Sequence, residues 1–314
     1  MVFIFFISLD AKEWELESIN FTIEDDMFYQ TDEAYTYGAK LLALYSVDEK
    51  DIYIPFMDNV SSQNYISFAF GQKMYTPNDI ETKELIEDDR PYAGYVYLES
   101  AIYQSYKNSL QTLVFQVGCV GESSRVDRIQ IKIHDWTGSD QPQGWDNQLS
   151  DELVLQLNYN YKHNYKLDKL FGLDGVVIPE IGFDLGNAST RAYVGTLFRY
   201  GWGLPNNYGA TAIDRSSYSQ IPVDNTIKNK DEWIFCSNFG ARANGIVQDI
   251  FLDGNTNVDS HSVEKNNFTA EAIYGLSFIY HKFSVDWIHI YSSKEFKLQK
   301  SPHKYTSFQI SYHF

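Results

Sequence analysis

An all-β, antiparallel barrel is the fold class this sequence predicts, on three observations. Apolar and polar residues alternate with period two in short segments separated by polar turns, as in strands with one apolar face. No apolar run reaches the roughly 20 residues that a membrane-spanning helix needs. Aromatic residues make up 16% of the 314 residues, with 24 Tyr and 21 Phe, a bias that favours strands and membrane–water interfaces.

The segments follow one another along the chain. The first four lie near 15–25, 35–46, 62–74 and 92–105. In the next, 109–120, Leu113, Phe115, Val117 and Cys119 oppose Thr112, Gln116 and Gly118. Segments near 152–164 and 174–187 follow, and then 190–203, where Val194, Phe198, Tyr200 and Trp202 oppose Gly195, Arg199 and Gly201. After 231–249 comes 266–282, with Ala270, Ala272, Tyr274, Leu276, Phe278 and Tyr280 on one face and Glu271, Gly275 and Ser277 on the other. Segment 283–293 precedes the last, 304–314, whose Phe308, Ile310, Tyr312 and Phe314 alternate with Ser307, Gln309, Ser311 and His313. Several exceed the roughly 9–11 residues of a tilted membrane strand, so some project beyond the bilayer.

Two architectures fit: a soluble sandwich or barrel with an apolar inside, and an outer-membrane barrel with an apolar outside. Period two does not tell in from out. Arg199, Glu271 and glycines on the polar faces suit a wet lumen, aromatics gather near segment ends, and the sequence ends on Phe314. These features favour the membrane barrel. The apolar start, MVFIFFISL, is too short to span and lacks a basic leader. It reads as the remnant of a secretory signal in residues 1–12, or else as an unrelated apolar strand. Residues 13–314 then form a single barrel domain.

Composition narrows the function. With 42 Asp plus Glu against 25 Lys plus Arg, the net charge of -17 argues against non-specific nucleic-acid binding and is compatible with cation binding. Two cysteines, Cys119 and Cys236, supply neither a disulfide framework nor a four-thiolate zinc site. Nucleophile elbow, P-loop, HExxH and CxxC patterns are absent. The loop DGNTNVDSHSVE at 253–264 has acidic spacing like a calcium loop, but Val258 stands where the sharp turn needs glycine, so it reads as a polar turn.

Two regions are richer. Asp25 and Asp26 end one segment and Thr36 opens the next, so a short connection brings carboxylates and a hydroxyl to one rim. Such oxygens suit calcium, or simply cap a polar turn. The second region, 126–150, holds Gln130 and His134, which share a face four residues apart. His134 is either a solvated surface histidine or a general base near neutral pH.

The motifs EDDMFYQTDEAYTYG (24–38), GQKMYTP (71–77), DDRPYAG (88–94), QIKIH (130–134), GWDNQL (144–149), RYGWGLP (199–205) and FLDGNTNVDSHSV (251–263) occur in this order over nearly the whole chain. In this pattern the sequence resembles the lipid A 3-O-deacylase family of Gram-negative outer membranes. The resemblance implies a twelve-stranded outer-membrane barrel with long extracellular loops, and a calcium-dependent hydrolase that removes the 3'-linked acyl chain of lipid A. It implies His134 as the base that activates water, Thr36 and Asp26 as site residues, and Gln130 as the residue that orients the site. Asp25 stands where the family carries Asn, so this chain adds a carboxylate, and Asp25 and Asp26 are the implied metal ligands. Arg90 is a candidate partner for a lipid A phosphate, or a structural partner of Asp88 or Asp89. Lys40 is a second phosphate candidate. The implied partners are lipid A and outer-membrane lipids, met by a monomer, with the site toward the extracellular leaflet. The connections 47–61, 75–91, 120–151, 204–230 and 250–265 are expected on that side. The alternative is a catalytically silent barrel, a channel or structural protein.

Overall fold

A computed structural model describes residues 14–26, 34–47, 63–205, 207–209, 212–214 and 233–314. The apolar start, residues 1–12, lies outside them. The strands are β1 (Glu15–Asp25), β2 (Ala34–Val47), β3 (Gln63–Thr76), β4 (Ala93–Tyr106), β5 (Ser109–Val120), β6 (Glu152–His163), β7 (Tyr165–Leu170), β8 (Leu173–Gly186), β9 (Ser189–Trp202), β10 (Ile234–Asp249), β11 (Phe268–Tyr280), β12 (Phe283–Ser292) and β13 (His303–His313). An α-helix, α1 (Val126–Thr137), lies in the connection between β5 and β6, flanked by two short 3-10 turns.

All pairings are antiparallel, and each strand of the wall pairs with its sequence neighbours. Two contacts close the cylinder: β1 with β13, and β6 with β8. The result is a closed twelve-stranded antiparallel barrel, as the sequence predicts. The thirteenth strand, β7, forms a short hairpin with the start of β8 and takes no part in closure. Its six residues, YKLDKL, offer no clean apolar face, which is why period two does not reveal them.

Outward residues are the apolar ones. Phe21, Leu41, Phe70, Leu98, Phe115, Leu155, Phe183, Phe239 and Ile310 are exposed, which in water would leave an apolar girdle without cover. The lumen is more mixed than a purely polar channel. Several of its buried charges are paired: Glu180 accepts from Arg242 Nε and Nη2 at 2.9 and 2.7 Å and lies 3.7 Å from Lys162 Nζ. Arg191 Nε meets Asp184 at 2.6 Å, and Lys40 Nζ meets Glu99 at 3.7 Å. Leu42, Leu44, Tyr103 and Val114 share the interior with Tyr208 from the β9–β10 connection. Further along that connection, Ile213 and Asp214 donate backbone N–H groups to buried Glu24 at 2.7 and 3.0 Å. Tyr75 donates to Asp214 at 2.6 Å. Tyr208, Ile213 and Asp214 of this connection are therefore folded into the barrel.

Strand order corrects the expected sidedness of the loops. The connections β3–β4, β5–β6 and β10–β11 leave from the same end as β1–β2, and α1 sits there. The connections β2–β3 and β9–β10 leave from the opposite end, because successive antiparallel strands alternate direction. Length alone misled the sequence reading. Described residues of the β9–β10 connection, Tyr208 and Ile213 among them, lie in the lumen instead.

The buried ion pairs set a stability test. Glu180→Ala strands Arg242 and Lys162, and breaking such a pair costs about 3–5 kcal/mol. We expect a loss of that size in urea unfolding from lipid vesicles, partly recovered when Arg242→Ala is added. An unchanged midpoint would contradict the pairing.

Candidate functional site

The wall's two-residue period decides which side chains meet. On β3, Lys73 and Tyr75 point into the lumen toward Asp214. Met74 and Thr76 therefore point outward. On β1, Phe21 is exposed outward, and Asp25 shares its parity. The register places Asp25 beside Tyr37, Tyr37 beside Met74, and Met74 beside Gly94. These four form one outward row at the rim.

A β-bulge breaks the alternation where it matters. Tyr35 pairs with Tyr75 and Tyr37 with Met74, so Thr36 is the extra residue. Bulges re-aim side chains next to functional sites. Here the bulge turns Tyr35 into the lumen, against Tyr75 and Tyr305. It brings Thr36 Oγ1 to 2.6 Å from Thr76 Oγ1 on the outward side. The Thr36 carbonyl accepts from Asp26 N–H at 3.4 Å, which ties the end of β1 to the bulge.

Helix α1 lies on the outside of this wall. Val126, at its start, packs with Met74, Tyr92 and Trp145. A Cβ on outward-facing Gly94 would come within 2.7 Å of the Val126 Cβ. The last residue of the DDRPYAG motif therefore lets the helix approach the wall. At the other end, Gly138 takes a left-handed φ of 73° and its N–H donates to the His134 carbonyl at 2.8 Å. The chain then doubles back, and the Asp140 carbonyl reaches the His134 ring.

That contact fixes the ring. A carbonyl only accepts, so Nδ1 carries the proton and donates at 2.5 Å. Nε2 is then the acceptor nitrogen of the imidazole. One turn earlier, Gln130 Oε1 accepts from Trp145 Nε1 at 2.7 Å, which anchors the helix to the GWDNQL turn.

Asp25, Asp26, Thr36, Gln130 and His134 all line one cavity of about 370 Å³. Five of the seven sequence-predicted site residues thus come together. Arg90 and Lys40 do not. Arg90 is buried, pairs with Glu295 at 3.2 Å rather than with Asp88 or Asp89, and has its guanidinium 5.1 Å from the Tyr75 ring centre. Lys40 is held in the lumen by Glu99. Neither lines the cavity.

Residues that the sequence reading missed complete the lining: Tyr37, Met74, Asn78, Asp79, Glu81 and Asp140 among them. The cavity mouth is acidic. The Asp140 carboxylate beside Glu81 pushes the Glu81 carboxyl above its ordinary value. The Thr82 hydroxyl hydrogen bond holds Asp79 below its own. A usable signal was present, since Asp79 and Glu81 lie two and four residues past GQKMYTP and Asp140 lies six residues past His134. The calcium-like loop 253–264 does other work: Asn255 and Thr256 hold Glu152, and Asp253 pairs with Lys265 at 2.8 Å.

One solved structure shares this architecture. LpxR from Salmonella typhimurium superposes with a TM-score of 0.76 at 17% identity, over 95% of this chain and 100% of that one. The β domain of the Bordetella autotransporter BrkA reaches 0.47 at 8% identity, over 95% of this chain and 98% of that one. No curated protein sequence matches the chain. The family model described as outer membrane protein LpxR matches residues 1–314. The chain therefore belongs to the LpxR family of outer-membrane β-barrel proteins.

Proposed function

We propose that this protein is a lipid A 3-O-deacylase. It hydrolyses the ester that links the 3'-acyl or acyloxyacyl chain to the sugar, working as a single chain in the outer membrane. One observation carries the reading: His134, Gln130, Thr36 and two aspartates line a single cavity against the outward face of the wall, at the rim. A lipid in the adjoining leaflet reaches that face without leaving the membrane. The end of the barrel that bears α1 then faces the cell exterior.

The chemistry follows from the residues. His134 Nε2 takes a proton from water, and the hydroxide adds to the ester carbonyl carbon. Collapse of the tetrahedral adduct breaks the bond to the sugar oxygen, which takes the proton back from the imidazolium. The products are a fatty acid and a free 3'-hydroxyl, with no acyl-enzyme. The Asp140 carbonyl holds the ring in the tautomer this requires and stabilises the imidazolium. Gln130 holds the helix turn that carries the ring against Trp145.

A divalent cation, calcium in this reading, fits the donor set, because two carboxylates and a hydroxyl are hard oxygen ligands. Asp25, Asp26 and Thr36 would hold it. Among the described residues no three His, Cys, Asp or Glu side chains converge on one point. Calcium accepts neutral oxygens in its further positions. When bound, such an ion supplies Lewis-acid stabilisation of the charge on the carbonyl oxygen. The extra carboxylate of Asp25 raises the negative charge available to it. A channel is the less favoured reading, because packed side chains and the folded-in connection occupy the lumen.

Two outcomes are expected. His134→Gln lowers acyl release from purified lipid A by about 10³-fold while the barrel keeps its folded gel mobility. Mass analysis of the lipid reads the result, and unchanged release would end the proposal. In the same assay wild type removes one 3'-linked chain, a chelator abolishes the loss, and added calcium restores it. Release that persists in chelator would remove the cation from the mechanism.

A further inference from the structure

The phosphate of the substrate needs a cation, and the two that the sequence suggests are committed elsewhere, Arg90 to Glu295 and Lys40 to Glu99. The outer wall offers another. The outward row Met74, Tyr37, Asp25 continues past the cavity onto Thr306 of β13, His289 of β12 and Tyr274 of β11. A wall that faces hydrocarbon should be apolar at these places. Instead Thr306 Oγ1 lies 2.9 Å from His289 Nδ1, and the His289 ring stacks on Tyr274 with centres 4.7 Å apart.

One step nearer the rim on the same face are Lys304 and its cross-strand partner Tyr291. Lys304 is exposed, and its Nζ lies 5.3 Å from the Tyr291 ring centre. Of the Lys and Arg residues described on β1, β2, β3, β11, β12 and β13, Lys40 and Lys73 face the lumen, which leaves Lys304 as the outward one. Its backbone is one strand over and two residues up from Asp25, about 8 Å away by strand spacing and rise. That separation suits a phosphate vicinal to the attacked ester better than one at the far end of a disaccharide.

We infer that Lys304, seated on Tyr291 and flanked by Thr306 and His289, is the subsite for the lipid phosphate on the same sugar as the 3'-ester. The inference rests on the proposed reaction for the identity of the lipid, but its binding chemistry is independent of turnover. The Tyr291 face orients the ammonium, and the buried Thr306 hydroxyl holds the half-buried His289 ring on the same outward face.

The test is native mass spectrometry of the full barrel in detergent. It is offered equal amounts of lipid A with and without the phosphate vicinal to the 3'-ester. Wild type should retain the phosphorylated form about tenfold more, and Lys304→Gln should lose that preference. Lys282→Gln is the control, because Lys282 sits near the Tyr312 ring, at 5.9 Å, at the opposite end of the barrel. It should keep the preference. Millimolar inorganic phosphate should not displace the lipid, which separates a headgroup site from a free-anion site. A preference that survives Lys304→Gln, or falls equally in Lys282→Gln, overturns the subsite. Acyl release measured in the same samples reports separately on the reaction. A barrel that loses the preference with Lys304→Gln but never releases acyl chains would keep the subsite and lose the deacylase reading.

Discussion

A β-wall is one residue thick, so each side chain of a strand faces either lipid or lumen, and nothing in between. That constraint governs this protein. The row Gly94, Met74, Tyr37 and Asp25 faces outward because Lys73 and Tyr75, their lumen-facing neighbours, are held by Asp214. The ion pairs inside the barrel therefore do more than neutralise charge. They lock the parity of the wall, and the parity decides which residues a membrane lipid can meet. The Thr36 bulge breaks the rule locally, and it lies where a hydroxyl is needed beside two carboxylates.

Helix α1 turns this face into a cavity. A strand cannot bring a histidine over its own neighbours, but a helix laid across the outside can. Two glycines permit it: Gly94 clears the space under Val126, and Gly138 ends the helix so that the chain returns to hold the His134 ring. The lumen contributes rigidity from within. Glu24, buried just before Asp25 and Asp26, accepts from two backbone N–H groups of the folded-in connection. The acidic end of β1 is thus braced on its inner side while it serves the outer one.

Much of this was legible in the residues. Period two located each of the twelve wall strands to within a few residues, and 109–120 matched β5 in full. The acidic end of β1, Thr36, Gln130 and His134 were legible as two dense polar regions, which the fold brings together. What failed did so for physical reasons. Loop length does not encode which end of a barrel a connection serves, whereas strand alternation does. Arg90 and Lys40 look alike on paper to any exposed cation, because sequence does not show that Glu295, 205 residues away, and Glu99 claim them. The bulge was invisible too, since one extra residue in an otherwise regular strand leaves little trace in composition.

The central claim is that lipid meets this protein on the outer face of the wall, at the rim bearing α1. Photocrosslinking tests it directly. A photoreactive amino acid placed at Tyr37, outward, should capture lipopolysaccharide in native outer membranes, whereas the same group at Lys73, on the neighbouring strand but facing the lumen, should not. Capture at Lys73 with none at Tyr37 would contradict the account.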